Sequence, residues 1–135
     1  MADFNFYQTK SEENLQAAKF LINKQLFNSS IHCAYYACVQ LLSFITLNNL
    51  KISKQDFDEG VEAKSSHLWL SQQFWNYFCT QNYDDACDFR DTFGAIRGNR
   101  KQADYKAKKF TKAEADAHLK EATDFINQLK IHFQI

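Results

Sequence analysis

Residues 31–47 read IHCAYYACVQLLSFITL, and this stretch decides the fold. Its apolar residues recur at intervals of three and four, the spacing that places side chains on one face of an α-helix. The residues predicted on the buried face are Ile31, Ala34, Tyr35, Cys38, Leu42 and Ile45. Successive residues of a helix lie about 100° apart, so only one ring of the adjacent pair Tyr35 and Tyr36 can point fully inward. The stretch therefore predicts a core helix with one tyrosine that needs a polar partner or solvent.

Helical periodicity extends to both sides of this core helix. The chain contains no proline and three glycines, so the strongest helix breakers are nearly absent. A first helix is predicted over residues 9–27, opened by a capping box that begins at Thr9. The polar residues 28–30 are expected to break it and to cap the core helix that follows. Residues 48–64 are polar and predict a loop with at most one short helical turn.

Three further helices are predicted downstream of this loop. Their expected N-terminal caps are Ser65 or Ser66 for the first, Asn82 or Asp84 for the second, and a capping box at Thr111 and Glu114 for the last. A chain of 135 residues is long enough to bury one core. We therefore expect residues 1–135 to form a single all-α domain, an antiparallel up-and-down bundle of four to five helices.

Charge and motif content exclude several function classes. Sixteen Lys and Arg balance sixteen Asp and Glu, so the global charge predicts neither nucleic-acid binding nor membrane binding. The sequence has no CxxC pair, glycine-rich phosphate loop, HExxH, GxSxG or calcium loop, so no metal and no cofactor is predicted. No secretory pattern opens the chain and no apolar run approaches the ~20 residues of a membrane span. We expect a cytoplasmic protein without a membrane partner.

Basic residues are concentrated near the predicted end of the fourth helix. Residues 97–112 contain seven Lys and Arg but a single acid, Asp104. The polar face predicted there consists of Arg97, Arg100, Lys101, Asp104 and Tyr105. Arginine forks bind phosphate oxygens and a tyrosine ring can stack on a base, so this face is a candidate nucleotide site. The same residues also fit a solvated helix end, where the arginines interact with the helix dipole and the aspartate pairs with one of them.

The four histidines carry less information. His67 falls in the first turn of a predicted helix, where the dipole disfavours the protonated ring, so it is a candidate neutral acid or base. A lone histidine is more often structural. His32 falls near the start of the core helix, and His118 and His132 are too far apart to share a metal ion. The residues alone assign none of the four a catalytic role.

Three short motifs follow one another along the chain. They are Asn28-Ser29-Ser30 leading into Ala34-Tyr35-Tyr36-Ala37, then Ser66-His67 with Phe74 downstream, and finally Arg97 to Arg100-Lys-Gln-Ala-Asp104-Tyr105. In this order they resemble the HEPN superfamily of helical domains associated with nucleotide binding. The resemblance covers about 90 residues and is closest to small stand-alone bacterial members. It implies a helical bundle that forms a homodimer. Many members are metal-independent endoribonucleases in which an arginine, followed four to six residues later by a histidine, faces its counterpart across a dimer cleft.

In this chain Arg100 best matches the signature arginine, with Arg97 as the second choice, and Tyr105 stands where the histidine is expected. The resemblance leaves three alternatives open. They are a module that binds RNA or a nucleotide through residues 97–105, a toxin-antitoxin component with a nucleotidyltransferase-like partner that modifies Tyr105, and a ribonuclease that uses Arg100 with Tyr105 or His67. A non-enzymatic interaction scaffold, which would bury a partner helix on exposed aromatic side chains, is a further possibility.

Overall fold

The computed structural model describes residues 4–135, and every regular element within that range is helical. The six helices are α1 (Asn5–Asn23), α2 (Phe27–Asn48), α3 (Lys54–Ala63), α4 (Ser66–Gln81), α5 (Tyr83–Tyr105) and α6 (Lys112–Phe133). The predicted all-α bundle is confirmed, and the described range holds one helix more than the four to five expected. The predicted domain also includes residues 1–3, which lie outside the described range.

Helix α2 lies at the centre of the bundle and contacts each of the other five described helices. Residues 41–47 are buried on every side, as expected of a helix surrounded by protein. Two hydroxyls inside this stretch are satisfied locally, because Ser43 donates to the Val39 carbonyl at 2.9 Å and Thr46 to the Leu42 carbonyl at 2.8 Å. The core therefore contains these polar groups without leaving them unpaired.

Among the described helices, α2 alone is long and apolar enough to cross a membrane. The helix has 22 residues, and an 18-residue window of it reaches a mean hydropathy of 1.4. Within the bundle 78% of that window is buried. Burial of this extent is a property of core helices in folded proteins, which pass the same test of length and composition.

The turn between α1 and α2 centres on Gln25, so the break predicted at residues 28–30 is wrong. Gln25 has φ of 63°, in the left-handed region. Its amide donates to the Ile22 carbonyl at 2.9 Å, and the amide of Leu26 donates to the Leu21 carbonyl at 2.8 Å. These are the two bonds of a Schellman motif. Glycine usually supplies the left-handed residue of this motif, so a glutamine gave no signal in the sequence.

Helix α3 occupies the segment that was predicted as a loop, and that prediction is wrong. Ser53 caps it by accepting a hydrogen bond of 3.1 Å from the Asp56 amide. Phe57 is buried, and its ring meets the Trp69 ring edge-on at a centroid distance of 5.4 Å. A Cβ at Gly60 would lie 2.0 Å from Nε1 of the same indole, so this glycine allows the close approach. One buried ring, rather than an apolar stripe, holds α3 against α4.

The caps confirm two predicted helix starts and correct a third. Asn82 accepts hydrogen bonds from the backbone amides two and three residues ahead of it, and so caps α5. Thr111 and Glu114 form both bonds of the predicted capping box at the start of α6. Helix α1, by contrast, begins at Asn5, so the capping box predicted at Thr9 is wrong and this threonine lies inside the helix.

Asn28 joins the start of α2 to the segment that connects α5 with α6. Its Nδ2 donates to the carbonyls of Ala103 at 3.2 Å and Lys108 at 2.8 Å, and its Oδ1 accepts from the Phe110 amide at 2.9 Å. One amide thus makes three hydrogen bonds to residues far away in the sequence. The end of α5, which carries most of the predicted polar site, is fixed to α2 by this contact.

We predict that Asn28→Ala lowers the free energy of unfolding by about 2–3 kcal/mol, because it removes three hydrogen bonds of about 0.5–1.5 kcal/mol each. Chemical denaturation measures the loss. The matched control is Asn14→Ala, since Asn14 donates to the Lys10 carbonyl at 3.0 Å within α1. The control should lose less than about 1 kcal/mol. Equal losses in the two variants would contradict the role given to Asn28.

His118 is the buried histidine of α6, with 3% of its surface exposed. Its Nδ1 lies 3.3 Å from Nδ2 of Asn99 on α5. Loss of solvation on burial lowers the pKa of His118 to about 4. The ring is therefore neutral in the folded protein at pH 7, and protonation opposes folding.

We predict that His118 makes the protein less stable as the pH falls. The unfolded chain protonates this ring near the ordinary pKa of about 6.5, whereas the folded protein does so only near 4. The stabilising effect of the neutral ring is thus complete above pH 6.5 and lost between pH 6.5 and 4. Between pH 7 and 5 the wild type should lose about 2 kcal/mol more than His118→Leu. His132→Leu, at an exposed histidine, serves as the control and should match the wild type.

Candidate functional site

Arg100 lies at the centre of a polar cluster near the end of α5. Its Nη2 donates to the hydroxyls of Tyr36 at 3.0 Å and Tyr105 at 3.1 Å. Its Nε lies 2.8 Å from Oδ2 of Asp104, an ion pair whose angle does not allow a hydrogen bond. The guanidinium carbon lies 5.0–5.4 Å from the ring centres of Tyr35, Tyr36 and Tyr105. The side chain of Arg100 is 12% exposed. The three aromatic rings and the Asp104 carboxylate hold its guanidinium in one position.

Asp104 also contacts His32, a residue to which the sequence gave no role. Oδ2 of Asp104 lies 2.7 Å from Nδ1 of His32, so one carboxylate oxygen serves both the imidazole and the guanidinium of Arg100. The His32 ring packs against Tyr36 at a centroid distance of 4.7 Å. It remains 45% exposed. Asp104 therefore pairs with an arginine, as expected, and additionally orients a histidine from another helix.

Helix α2 presents a polar stripe to this cluster, formed by Asn28, His32, Tyr36 and Gln40. These residues recur at every fourth position and so lie along one face of the helix. The first three bond to residues 100–110, and Gln40 lines the groove beside them. Sequence analysis missed the stripe. The sequence did contain a signal for it, namely a polar side chain at every fourth position of an otherwise apolar helix. Such a row of side chains must face solvent or a polar part of a neighbouring helix.

A groove of about 590 Å³ opens beside Arg100, between α1, α2, α3, the start of α4 and the end of α5. Its aromatic lining comes from Tyr7, Tyr35, Tyr36, Phe57 and Tyr105. Arg100 and Lys101 supply positive charge, and His67 lies on the wall formed by α4. The structure thus brings four of the predicted site residues to one groove. Such a mixture of ring surfaces and cations suits a ligand with both flat and anionic parts.

The lowered pKa of His67 indicates that this groove is positively charged. Its Nε2 lies 3.2 Å from Oγ of Ser65, the residue before α4. Partial burial, together with three nearby cations, lowers the pKa of His67 to about 4. The cations, in order of effect, are Arg97, Lys101 and Arg100. The ring is therefore neutral at pH 7, and its surroundings favour a bound anion.

Arg97 is not among the residues that line the groove. It lines a separate depression between α4 and α5, together with Leu68, Trp75 and Gly94. Within residues 4–135 its Nε is buried and has no hydrogen-bond partner. Arg97 and Arg100 thus line different cavities, although both lie close enough to His67 to lower its pKa.

The cysteines and acidic residues form no further chemical centre in the described part of the chain. Among residues 4–135 no group of three or more His, Cys, Asp or Glu side chains could hold a metal ion. The thiols of Cys33, Cys38, Cys79 and Cys87 are free. Burial raises the pKa of the Cys38 thiol well above its usual range, so this side chain packs as a small apolar group.

Comparison with known proteins gives a distant relative. No protein-family model matches the chain, and no solved structure matches it. The chain is 29% identical over 125 residues to a protein of the archaeon Methanocaldococcus jannaschii that is named "Putative toxin MJ0605". The match covers 89% of this chain and 81% of that protein. The chain is thus similar along most of its length to a small toxin-like protein, while membership of the HEPN superfamily is not confirmed.

Proposed function

We propose that this protein is the toxin of a toxin-antitoxin pair and binds RNA or a nucleotide in the groove beside Arg100. The name given to its archaeal relative supports the toxin assignment. The HEPN resemblance supports an RNA or nucleotide ligand, a homodimer and a nucleotidyltransferase-like antitoxin partner. Cytoplasmic location follows from an RNA ligand and remains part of the proposal.

The observation that carries the ligand proposal is the fixed guanidinium of Arg100 at an open, positively charged groove. Within residues 4–135 its recorded side-chain contacts use Nη2 and Nε, so Nη1 is left for a phosphate oxygen. Lys101 is exposed next to it and provides a second cation. Charge-assisted bonds from arginine to phosphate are among the strong hydrogen bonds in proteins.

Tyr105 gives the groove a surface for a base. Its side chain is 66% exposed although its hydroxyl is fixed by Arg100. Stacking of a base on an aromatic side chain contributes about 1–3 kcal/mol per base. The same exposed hydroxyl is the candidate acceptor if the partner transfers a nucleotidyl group, as the resemblance implies.

We predict that Lys101→Ala and Tyr105→Ala each weaken RNA binding about tenfold, because each removes one phosphate or base contact of about 1–3 kcal/mol. Fluorescence anisotropy across a series of salt concentrations measures the affinity. Lys101→Ala should also reduce the salt slope by about one unit, whereas Tyr105→Ala should not. Lys120→Ala, a surface lysine paired with Asp124 on α6, is the control. Unchanged binding in both groove variants would remove this groove from the proposal.

We also predict that expression of the protein alone arrests growth of a bacterial host and that Arg100→Lys relieves the arrest. Lysine keeps the charge but loses the planar fork that contacts both tyrosines and Asp104. Colony counts after induction measure the effect, and immunoblotting checks that the two proteins accumulate equally. Arg90→Lys, an exposed arginine earlier on α5, is the control. Equal arrest by the Arg100 and Arg90 variants would contradict the assignment.

A further inference from the structure

We propose that His32 is the general base of an RNA-cleaving centre at this groove, and that Asp104 is its positioning residue. The inference rests on the proposed function, because it takes RNA as the ligand. Cleavage of RNA is one of the alternatives that the family resemblance left open, and the new element is that the acid-base role belongs to a residue of α2 rather than to Tyr105 or His67.

The contact between His32 and Asp104 fixes which nitrogen carries the proton. A carboxylate only accepts hydrogen bonds, so Nδ1 of His32 must donate across the 2.7 Å contact. Nε2 of the neutral ring then has its lone pair free to accept a proton. Asp104 is held in turn by the Nε of Arg100 at 2.8 Å. The imidazole therefore has a defined orientation and tautomer, although it is 45% exposed.

His32 is placed beside the proposed ligand site rather than at a remote surface. Its ring packs on Tyr36, whose hydroxyl accepts from Arg100 and whose side chain lines the groove. On its other side His32 borders a depression of about 390 Å³, shared with Asp104 and Ser29. An RNA strand that runs from the groove into this depression would pass Arg100 and then His32.

The cluster supplies the groups that cleavage by the ribose 2'-hydroxyl requires. Nε2 of His32 takes the 2'-hydroxyl proton while O2' forms a bond to phosphorus and the bond from phosphorus to O5' breaks. The products are a 2',3'-cyclic phosphate and a 5'-hydroxyl. The Tyr105 hydroxyl accepts from Arg100, so its own hydrogen can go to the leaving O5'. Arg100 balances the charge that develops on the phosphoryl oxygens. Water then carries the proton from His32 back to Tyr105.

The test uses the full-length protein with end-labelled single-stranded and hairpin RNA in the presence of EDTA. The wild type should release 2',3'-cyclic phosphate ends and should not cut the same RNA with 2'-O-methyl groups. His32→Ala should cleave about 10²–10⁴-fold more slowly, the range typical of a lost general base, and added imidazole should restore part of the rate. Asp104→Asn should lower kcat while KM stays within about twofold, as expected of a residue that orients the base.

The matched control is His132→Ala, because His132 bonds to the Tyr77 hydroxyl away from the cluster. Thermal melting checks that the His32 and His132 variants fold equally well. Cleavage that is unchanged in His32→Ala, or that EDTA abolishes, overturns the inference. Binding of RNA without cleavage by the wild type also overturns it and leaves the proposed function standing. Absence of both binding and cleavage overturns the two together.

Discussion

The burial of α2 is the constraint on which the rest of the structure depends. Its second half, residues 41–47, is surrounded by protein, and its buried hydroxyls bond to carbonyls of the same helix. Every other described helix packs against α2. Because one helix serves as the common support, the groups it carries at its first half hold fixed positions relative to α4 and α5. The polar stripe from Asn28 to Gln40 therefore becomes a rigid wall of the candidate site.

Electrostatic balance within the cluster explains how a chain of zero formal charge can present a cationic groove. Asp104 compensates the charge of Arg100, which reduces the cost of desolvating the guanidinium. Within residues 4–135 neither Lys101 nor Arg97 forms an ion pair with a carboxylate, and both lower the pKa of His67. The net charge of the whole chain does not show how the individual charges are distributed over its surface. The position of each charge is what matters for the groove: Arg100 and Lys101 line it, whereas Arg97 lines the neighbouring depression between α4 and α5.

The Asn28 side chain fixes both the packing of α2 against the segment after α5 and the position of the candidate site. A polar residue ahead of an apolar stretch predicts a helix cap, and the sequence supported that interpretation for residues 28–30. In the structure the chain turns earlier, at Gln25, and Asn28 lies inside α2 with its amide bonded to the connection after α5. Through this contact the start of α2 and the end of α5 lie side by side. His32 and Asp104 meet because of it, 72 residues apart in the sequence.

The sequence by itself determined the helical class, the central helix and the capping box at Thr111, and it limited the cap of α5 to Asn82 or Asp84. These features follow from periodicity and from side chains that bond within three residues. It also indicated Arg100, Lys101 and Tyr105 as a polar group, since they are neighbours along one helix. Only the tertiary structure decided α3, whose helix depends on Phe57 and Gly60 meeting Trp69, and which cavity Arg97 lines. The same holds for the contact of His32 with Asp104. Local signals act over one or two helical turns, whereas these features depend on which helices pack together.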